Sequence, residues 1–247
     1  MIGYDTIKAH IAGNHYDEIK LKINLQYINR ERHYIFTYNK SDLIFSFAHG
    51  ITSIRFSIPK LIHGDNFKVA GIEEAKQALV IISGLTGLDF SQFRITRLHL
   101  TTNIHTEYST RKFAVHLKKP SYFKGEMHLQ NGFYFHTNQD IRRSARVILF
   151  YKKKEEYIRI ESKFENRHQT HNSVGASIRH FLRHEPLVSE IIKESFYLNC
   201  INYFIATLGT TIRGPVRSEK DRIFKQHFSE RLQDSYSQSL HILHNTS

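Results

Sequence analysis

Apolar and polar residues alternate one by one through much of the first two-thirds of the chain. Thr6–Ile11 and Glu18–Leu25 follow the period of two that marks half-exposed strands. Tyr34–Tyr38, Leu43–Phe47 and Ile51–Ile58 predict further short strands, punctuated by Gly50 and Pro59. The pattern changes at GIEEAKQALVIISGLTG. Glu73 and Glu74 suit the positive end of a helix and Gly84 suits its close, so a helix is predicted over Ile72–Ser83. Strand character returns in Phe93–His105, Phe133–His136, Arg146–Lys153 and Tyr157–Phe164, with a short helix at Ser109–Leu117. After His168 the apolar spacing becomes helical in Ser173–His184 and Pro186–Leu208, with Pro186 at a helix start. The tail from Arg217 is charged and polar, and either helical or loose.

This order predicts an α+β fold, an antiparallel sheet with helices on one face. It divides the chain into a strand-rich domain over residues 1–170 and a helical C-terminal region over 171–247.

The alternation also says which side chains share a face. In FRITRLHLTTNIH, Arg97, His99, Thr101, Asn103 and His105 stand together, with Leu98 and Leu100 opposite. In YIRIESKF, Arg159, Glu161 and Lys163 stand together, with Ile158, Ile160 and Phe164 opposite. The simplest assembly puts both polar rows on one open sheet face, bringing together imidazole, carboxylate and cations. Such a set can hold a divalent metal and offset phosphate charge. The plainer reading is a solvated face on which Glu161 pairs with its neighbours.

Tyr151 raises a similar choice. In RVILFYKKK an apolar run ends at this tyrosine and enters three lysines, as though a buried strand emerges there. Most strand tyrosines are packing residues with a satisfied hydroxyl. A tyrosine hydroxyl is a poor nucleophile unassisted, but nearby ammonium groups favour the phenolate. Lys153 shares the Tyr151 face by alternation; Lys152 and Lys154 do not.

Charge sharpens this picture. Among 247 residues, Lys plus Arg number 35 against 23 for Asp plus Glu, a formal net charge of +12. Such an excess points to a polyanionic partner, nucleic acid first and an anionic membrane surface second. The one cysteine, Cys200, excludes an intrachain disulfide and a cysteine-based zinc site. MIGYDTIKAH has no apolar signal core, and Ala78–Leu88 is too short to span a bilayer. A soluble intracellular protein is expected. His180 and His184 lie four apart, but HFLRH lacks a metalloprotease glutamate, and there is no Walker loop.

Four blocks, in order across about residues 50–165, resemble the rolling-circle replication initiators of the filamentous-phage gene II type and related plasmid initiators. SIRFSIPKLIHGDNFKVAG is similar to the family's strand and proline-lysine block. FRITRLHLTTNIH is similar to its Arg-x-Asp strand. GFYFHTNQDIRRSARVILFYKKK is similar to the block ending in its nucleophilic tyrosine, and YIRIESKF to its Arg-x-Glu-x-basic strand.

The resemblance implies an HUH-nuclease-like core and a metal-dependent DNA nicking endonuclease and strand transferase. Tyr151 falls on the nucleophile, Glu161 on the metal-site carboxylate and Lys153 on a basic residue just after the tyrosine. His99 stands where the family usually has aspartate, and histidine too can ligate a metal. The implied cofactor is Mg²⁺ or Mn²⁺. The implied partner is origin DNA, single-stranded or supercoiled duplex, in the cytoplasm of a bacterial host, with a helicase and polymerase to follow.

Arg97, Arg142, Arg143, Arg146, Lys152, Lys154, Arg159 and Lys163 are the candidate DNA-binding cations. The alternatives are a DNA-binding protein that uses its basic sheet face without nicking, and an RNA-binding module that stacks bases on exposed aromatics.

Overall fold

The computed structural model describes residues 1–28, 33–139, 144, 146–165, 186–212 and 215–246. Its strands are β1 (Ile2–Ala12), β2 (Gln26–Ile28), β3 (His33–Tyr38), β4 (Ser41–Ala48), β5 (Ile51–Ser57), β6 (Arg94–His105), β7 (Gly125–Leu129), β8 (Gly132–His136), β9 (Arg146–Lys154) and β10 (Tyr157–Glu165). Its α-helices are α1 (Tyr16–Lys20), α2 (Ile58–His63), α3 (Ile72–Thr86), α4 (Thr110–His116), α5 (Glu194–Ile212) and α6 (Glu219–Thr246). The fold is therefore α+β. The strands form a ten-stranded sheet in the order β2-β3-β4-β5-β1-β6-β10-β9-β8-β7.

Two compact units divide the chain. One comprises Tyr4–His99 and Ile178–Tyr197; the other comprises Met1–Gly3, Leu100–Ser177 and Leu198–Ser247.

In the first unit β5 pairs antiparallel with both β1 and β4, so Lys8 and Ile44 flank Arg55. The other side of these strands presents Ile7, Ala9, Phe45, Ile54 and Phe56 to a core that also takes Ala75, Ala78 and Ile82 of α3. Helix α2 begins where β5 stops. Ser57 Oγ accepts the Lys60 N–H at 3.5 Å, and Pro59 occupies the first turn, where its missing N–H is harmless. Helix α3 begins with the Glu74 carboxylate accepting the Gly71 N–H at 2.9 Å. It runs past Gly84, the predicted stop, to Thr86. The left-handed cap falls instead on Gly87, at φ +75°.

The second unit is built on the β9–β10 hairpin, extended by β8 and β7. Its core is aromatic. Phe133 and Phe150 stack at 4.6 Å between ring centroids, and Phe135, Ile148, Ile160 and Phe164 are buried with them. A side chain as large as Phe150, fully buried, contributes about 1.5–3 kcal/mol. Helix α6 is polar in composition yet buries Phe224, Phe228, Leu232, Ser235, Ser239 and Leu243, spaced three and four apart along one stripe. Phe113 of α4 meets Phe224 and Phe228 edge-on, at 4.9 and 5.3 Å. The tail from Arg217 is thus mostly helix.

Other expectations are corrected. Glu18–Leu25 is not a strand but α1 followed by a turn. Its apolar residues fit both periods, and only Ile19 and Ile23, four apart, are buried, while Leu21 is 86% exposed. Pro186 does not start a helix. Its carbonyl accepts the Ile95 N–H at 2.8 Å, Leu187 bridges to Arg94, a 3-10 turn follows over Val188–Ile192, and α5 begins at Glu194. The helix predicted over Ser173–His184 lies outside the described residues.

Candidate active site around Tyr151 and Glu161

Strands β9 and β10 set the site by register alone. Arg159 pairs with Tyr151 and Glu161 with Leu149, so Tyr151 and Glu161 are diagonal neighbours on one face. The Tyr151 hydroxyl closes that diagonal, donating to Glu161 Oε1 at 2.6 Å. Arg159 Nε lies 3.2 Å from the same oxygen, and Lys163 Nζ lies 3.4 Å from Oε2. Arg159 also donates through a terminal nitrogen to Asn103 Oδ1 at 3.4 Å.

Burial makes this network more than a surface ion pair. Glu161 is 5% exposed and Arg159 is fully buried. An isolated charge in such a place is strongly disfavoured, so each ion needs the other. The polar row foreseen on YIRIESKF exists, but at Arg159 and Glu161 it is buried rather than solvated. Tyr151 is partly exposed, with its hydroxyl on the carboxylate and Lys153 Nζ 6.0 Å from its ring centroid.

Gly132 of β8 pairs with Tyr151 on the side away from Arg159. A Cβ there would come within 2.5 Å of the Phe150 carbonyl oxygen and 2.9 Å of Tyr151 Cβ. The bare glycine thus lets the tyrosine lie where it does.

Asp5, His99 and Glu161 are each buried, and carboxylate and imidazole groups are ligands suited to a hard or borderline divalent cation such as Mg²⁺ or Mn²⁺. Asp5 escaped sequence reasoning because strict alternation puts it on the face of Ile7 and Ala9. Its carboxylate instead accepts from Ser57 Oγ at 3.0 Å. The signal was a lone aspartate in the otherwise apolar start IGYD.

The candidate DNA-binding cations divide by environment. Lys152 and Lys154 are exposed, on the side of β9 away from Tyr151, and Arg97 is half-buried. Lys163 faces Glu161 and keeps about a third of its side chain in solvent. Arg159 is too deeply buried to touch a phosphate backbone. Arg146 is turned inward as well, its guanidinium 5.5 Å from the Tyr122 ring centroid and 4.9 Å from that of Tyr203. Burial pushes its pKa down. Arg142 and Arg143 lie outside the described residues.

No family model matches the chain, and no curated protein matches it. Among the described residues no helix is long and apolar enough to cross a membrane.

Proposed function

We propose that this chain nicks one strand of DNA with Tyr151 as the nucleophile and so initiates rolling-circle replication. The observation that carries the proposal is the 2.6 Å hydrogen bond from the hydroxyl of a partly exposed tyrosine, Tyr151, to the buried carboxylate of Glu161. The ordered resemblance of four sequence blocks to gene II-type initiators supports the same assignment.

In the reaction, Tyr151 Oη attacks the scissile phosphorus in line. A tyrosyl O–P bond to the 5′ side forms, and the P–O3′ bond breaks. The hydroxyl proton passes toward Glu161, which already accepts its hydrogen bond, and the departing 3′ oxygen takes up a proton from solvent. Lys153 offsets charge on the phosphate and favours the phenolate. As the resemblance implies, Glu161 and His99 would hold Mg²⁺ or Mn²⁺, which when bound would polarise the phosphate. The free 3′-OH then primes a host polymerase, with a helicase opening the duplex. The phosphotyrosine bond conserves the energy needed to reseal the strand.

The test is a supercoiled plasmid carrying the protein's own origin, incubated with Mn²⁺ or Mg²⁺ and run on a denaturing gel. Wild type is expected to give a nicked circle with protein on the 5′ end. Tyr151→Phe, or wild type with chelator, is expected to give neither. Intact plasmid with both proteins, despite tight binding in a shift assay, would replace this reading by DNA binding without nicking.

A further inference from the structure

Strand β7 ends the sheet, and its register with β8 carries the face of Tyr151 out to the edge. Gly132 pairs with both Tyr151 and Leu129, and Tyr134 pairs with both Leu149 and Met127. Directly paired residues share a face, so Leu129, Met127, Tyr134 and Leu149 stand on the side of the sheet that bears Tyr151 and Glu161. Leu129 is 52% exposed and Met127 41%, both large apolar side chains in solvent. Tyr134 backs them, its hydroxyl donating to Met127 Sδ at 2.5 Å. A lone exposed leucine needs no explanation, but this pair continues a row that begins at the nucleophile.

We infer that Met127 and Leu129 form a shelf for the bases of single-stranded DNA lying next to the cut. This rests on the proposed nicking function. The occupant follows from the mixture of chemistry on the face. Lys153 and Lys163 lie at its Tyr151 end and suit a phosphate backbone, while the edge offers only apolar surface, which suits the faces of bases. Two strand spacings separate Leu129 from Tyr151, about 10 Å. At a rise of about 3.4 Å per nucleotide that spans two to three nucleotides from the scissile phosphate. The acyl chains of a membrane or the flat side of a second sheet would not need the lysines.

The experiment compares two fluorescent oligonucleotides, a twelve-nucleotide thymidine oligomer and an abasic oligomer with the same phosphates, by anisotropy. Wild type is expected to prefer the thymidine oligomer. Leu129→Ser with Met127→Ser is expected to lose about tenfold in affinity for it and nothing for the abasic one. Leu21→Ser, at a still more exposed leucine in the other unit, is expected to change neither. Equal losses on both oligomers, or no loss on either, would overturn the inference. So would a wild-type dimer in gel filtration that the double variant dissolves, since the shelf would then be a self-interface.

Plasmid nicking is scored separately. Nicking with no base preference removes the shelf alone. A base preference that needs Leu129 and Met127, in a protein that never nicks, removes the nicking function and leaves the shelf.

Discussion

The second unit holds two buried carboxylates in contrasting company. Glu161 on β10 is met by the Tyr151 hydroxyl, Arg159 and Lys163. Asp221 on α6 is met by His116 of α4 at 3.0 Å, by Lys225 at 3.1 Å and by the backbone N–H of Arg217 at 3.0 Å. Its own N–H is capped by Ser218 Oγ at 3.2 Å, and Lys225 also donates to the Pro215 carbonyl at 3.0 Å. The partners of Asp221 thereby join the end of α4, the first turns of α6 and the segment that precedes it. The Asp221 network pins α4 to the first turn of α6, and the His116 ring stacked on Phe224 at 4.8 Å completes the joint. The Glu161 network pins little backbone. It holds the hydroxyl of one partly exposed tyrosine in a fixed place. The Asp221 carboxylate closes on backbone and ties elements together, whereas Glu161 has a partly exposed tyrosine beside it, as the proposed nicking reaction requires.

The largest effect on stability is therefore expected at Asp221. Asp221→Ala leaves Lys225 without its counter-ion and removes an acceptor from the start of α6. Breaking a buried pair in this way costs about 3–5 kcal/mol, read as a lower midpoint in urea. DNA nicking per folded molecule should be unchanged. A nicking defect as large as that of Tyr151→Phe, in protein still folded, would break the contrast. The Asp221 carboxyl also gives a pH signature. Burial pushes its pKa up, but the Arg217 N–H, Lys225 and His116 together outweigh burial and hold it below the usual carboxylate value. Its stabilisation is present above the unfolded carboxyl value and is lost as pH falls through the lower folded one. Acid unfolding of Asp221→Asn should accordingly be flatter at low pH than that of wild type.

The next effect is expected at Gly132. An added methyl must displace either the Phe150 carbonyl or Tyr151. Overpacking of this kind costs about 1–3 kcal/mol. The informative readout is chemical: Gly132→Ala should slow nicking more than it weakens binding of the thymidine oligomer, because the tyrosine moves relative to Glu161. Loss of both in proportion would mean simple unfolding.

Smaller still is the structural cost of Tyr151→Phe. It deletes one hydroxyl while leaving Arg159 and Lys163 on the carboxylate, so about 1 kcal/mol is expected, measured by the same urea titration. A loss of several kcal/mol would place Tyr151 with the fold-holding groups and undercut its role as nucleophile.

How much of this was legible in the sequence follows from the same physics. Strict alternation in FRITRLHLTTNIH and YIRIESKF located His99, Glu161 and Arg159 on their strands and faces, because a period of two fixes direction once a strand exists. The apolar run ending at Tyr151 likewise marked where β9 leaves the core. Burial was not legible. Nothing in the spelling of Arg159 says that its guanidinium is sealed inside, since that depends on Glu161 and Asn103 arriving from tertiary pairing. Asp5 was hidden because alternation puts it on the apolar face of Ile7 and Ala9. Strand β7 was missed because GEMHL is short, glycine-led and half in solvent, and α2 because Pro59 reads as a break as readily as a first turn.

The smallest expected effect concerns a half-buried histidine whose Nε2 is sealed from solvent, which extends the comparison to a case without satisfaction. His227 of α6 packs its ring edge-on against Tyr108 at 5.4 Å, and among the described residues its Nε2 has no hydrogen-bond partner. Burial, reinforced by the charge of Arg231 and by His105, lowers its pKa, while Glu230 and Glu107 oppose the shift. The sign follows directly. The unfolded chain protonates this histidine near its ordinary value of about 6.5, and the folded chain only at lower pH. Between those two values the unfolded state binds more protons, so stability rises with pH and falls on acidification through the mid-6 range. His227→Phe keeps the aromatic contact with Tyr108 and removes the titration. Its melting temperature should change less than that of wild type between pH 7.5 and 5.5, with nicking at pH 7.5 unaltered. An unchanged pH slope would show that another group carries the dependence. A loss of nicking in the folded variant would extend the catalytic region into α6, where the contrast between Glu161 and Asp221 places only structural groups.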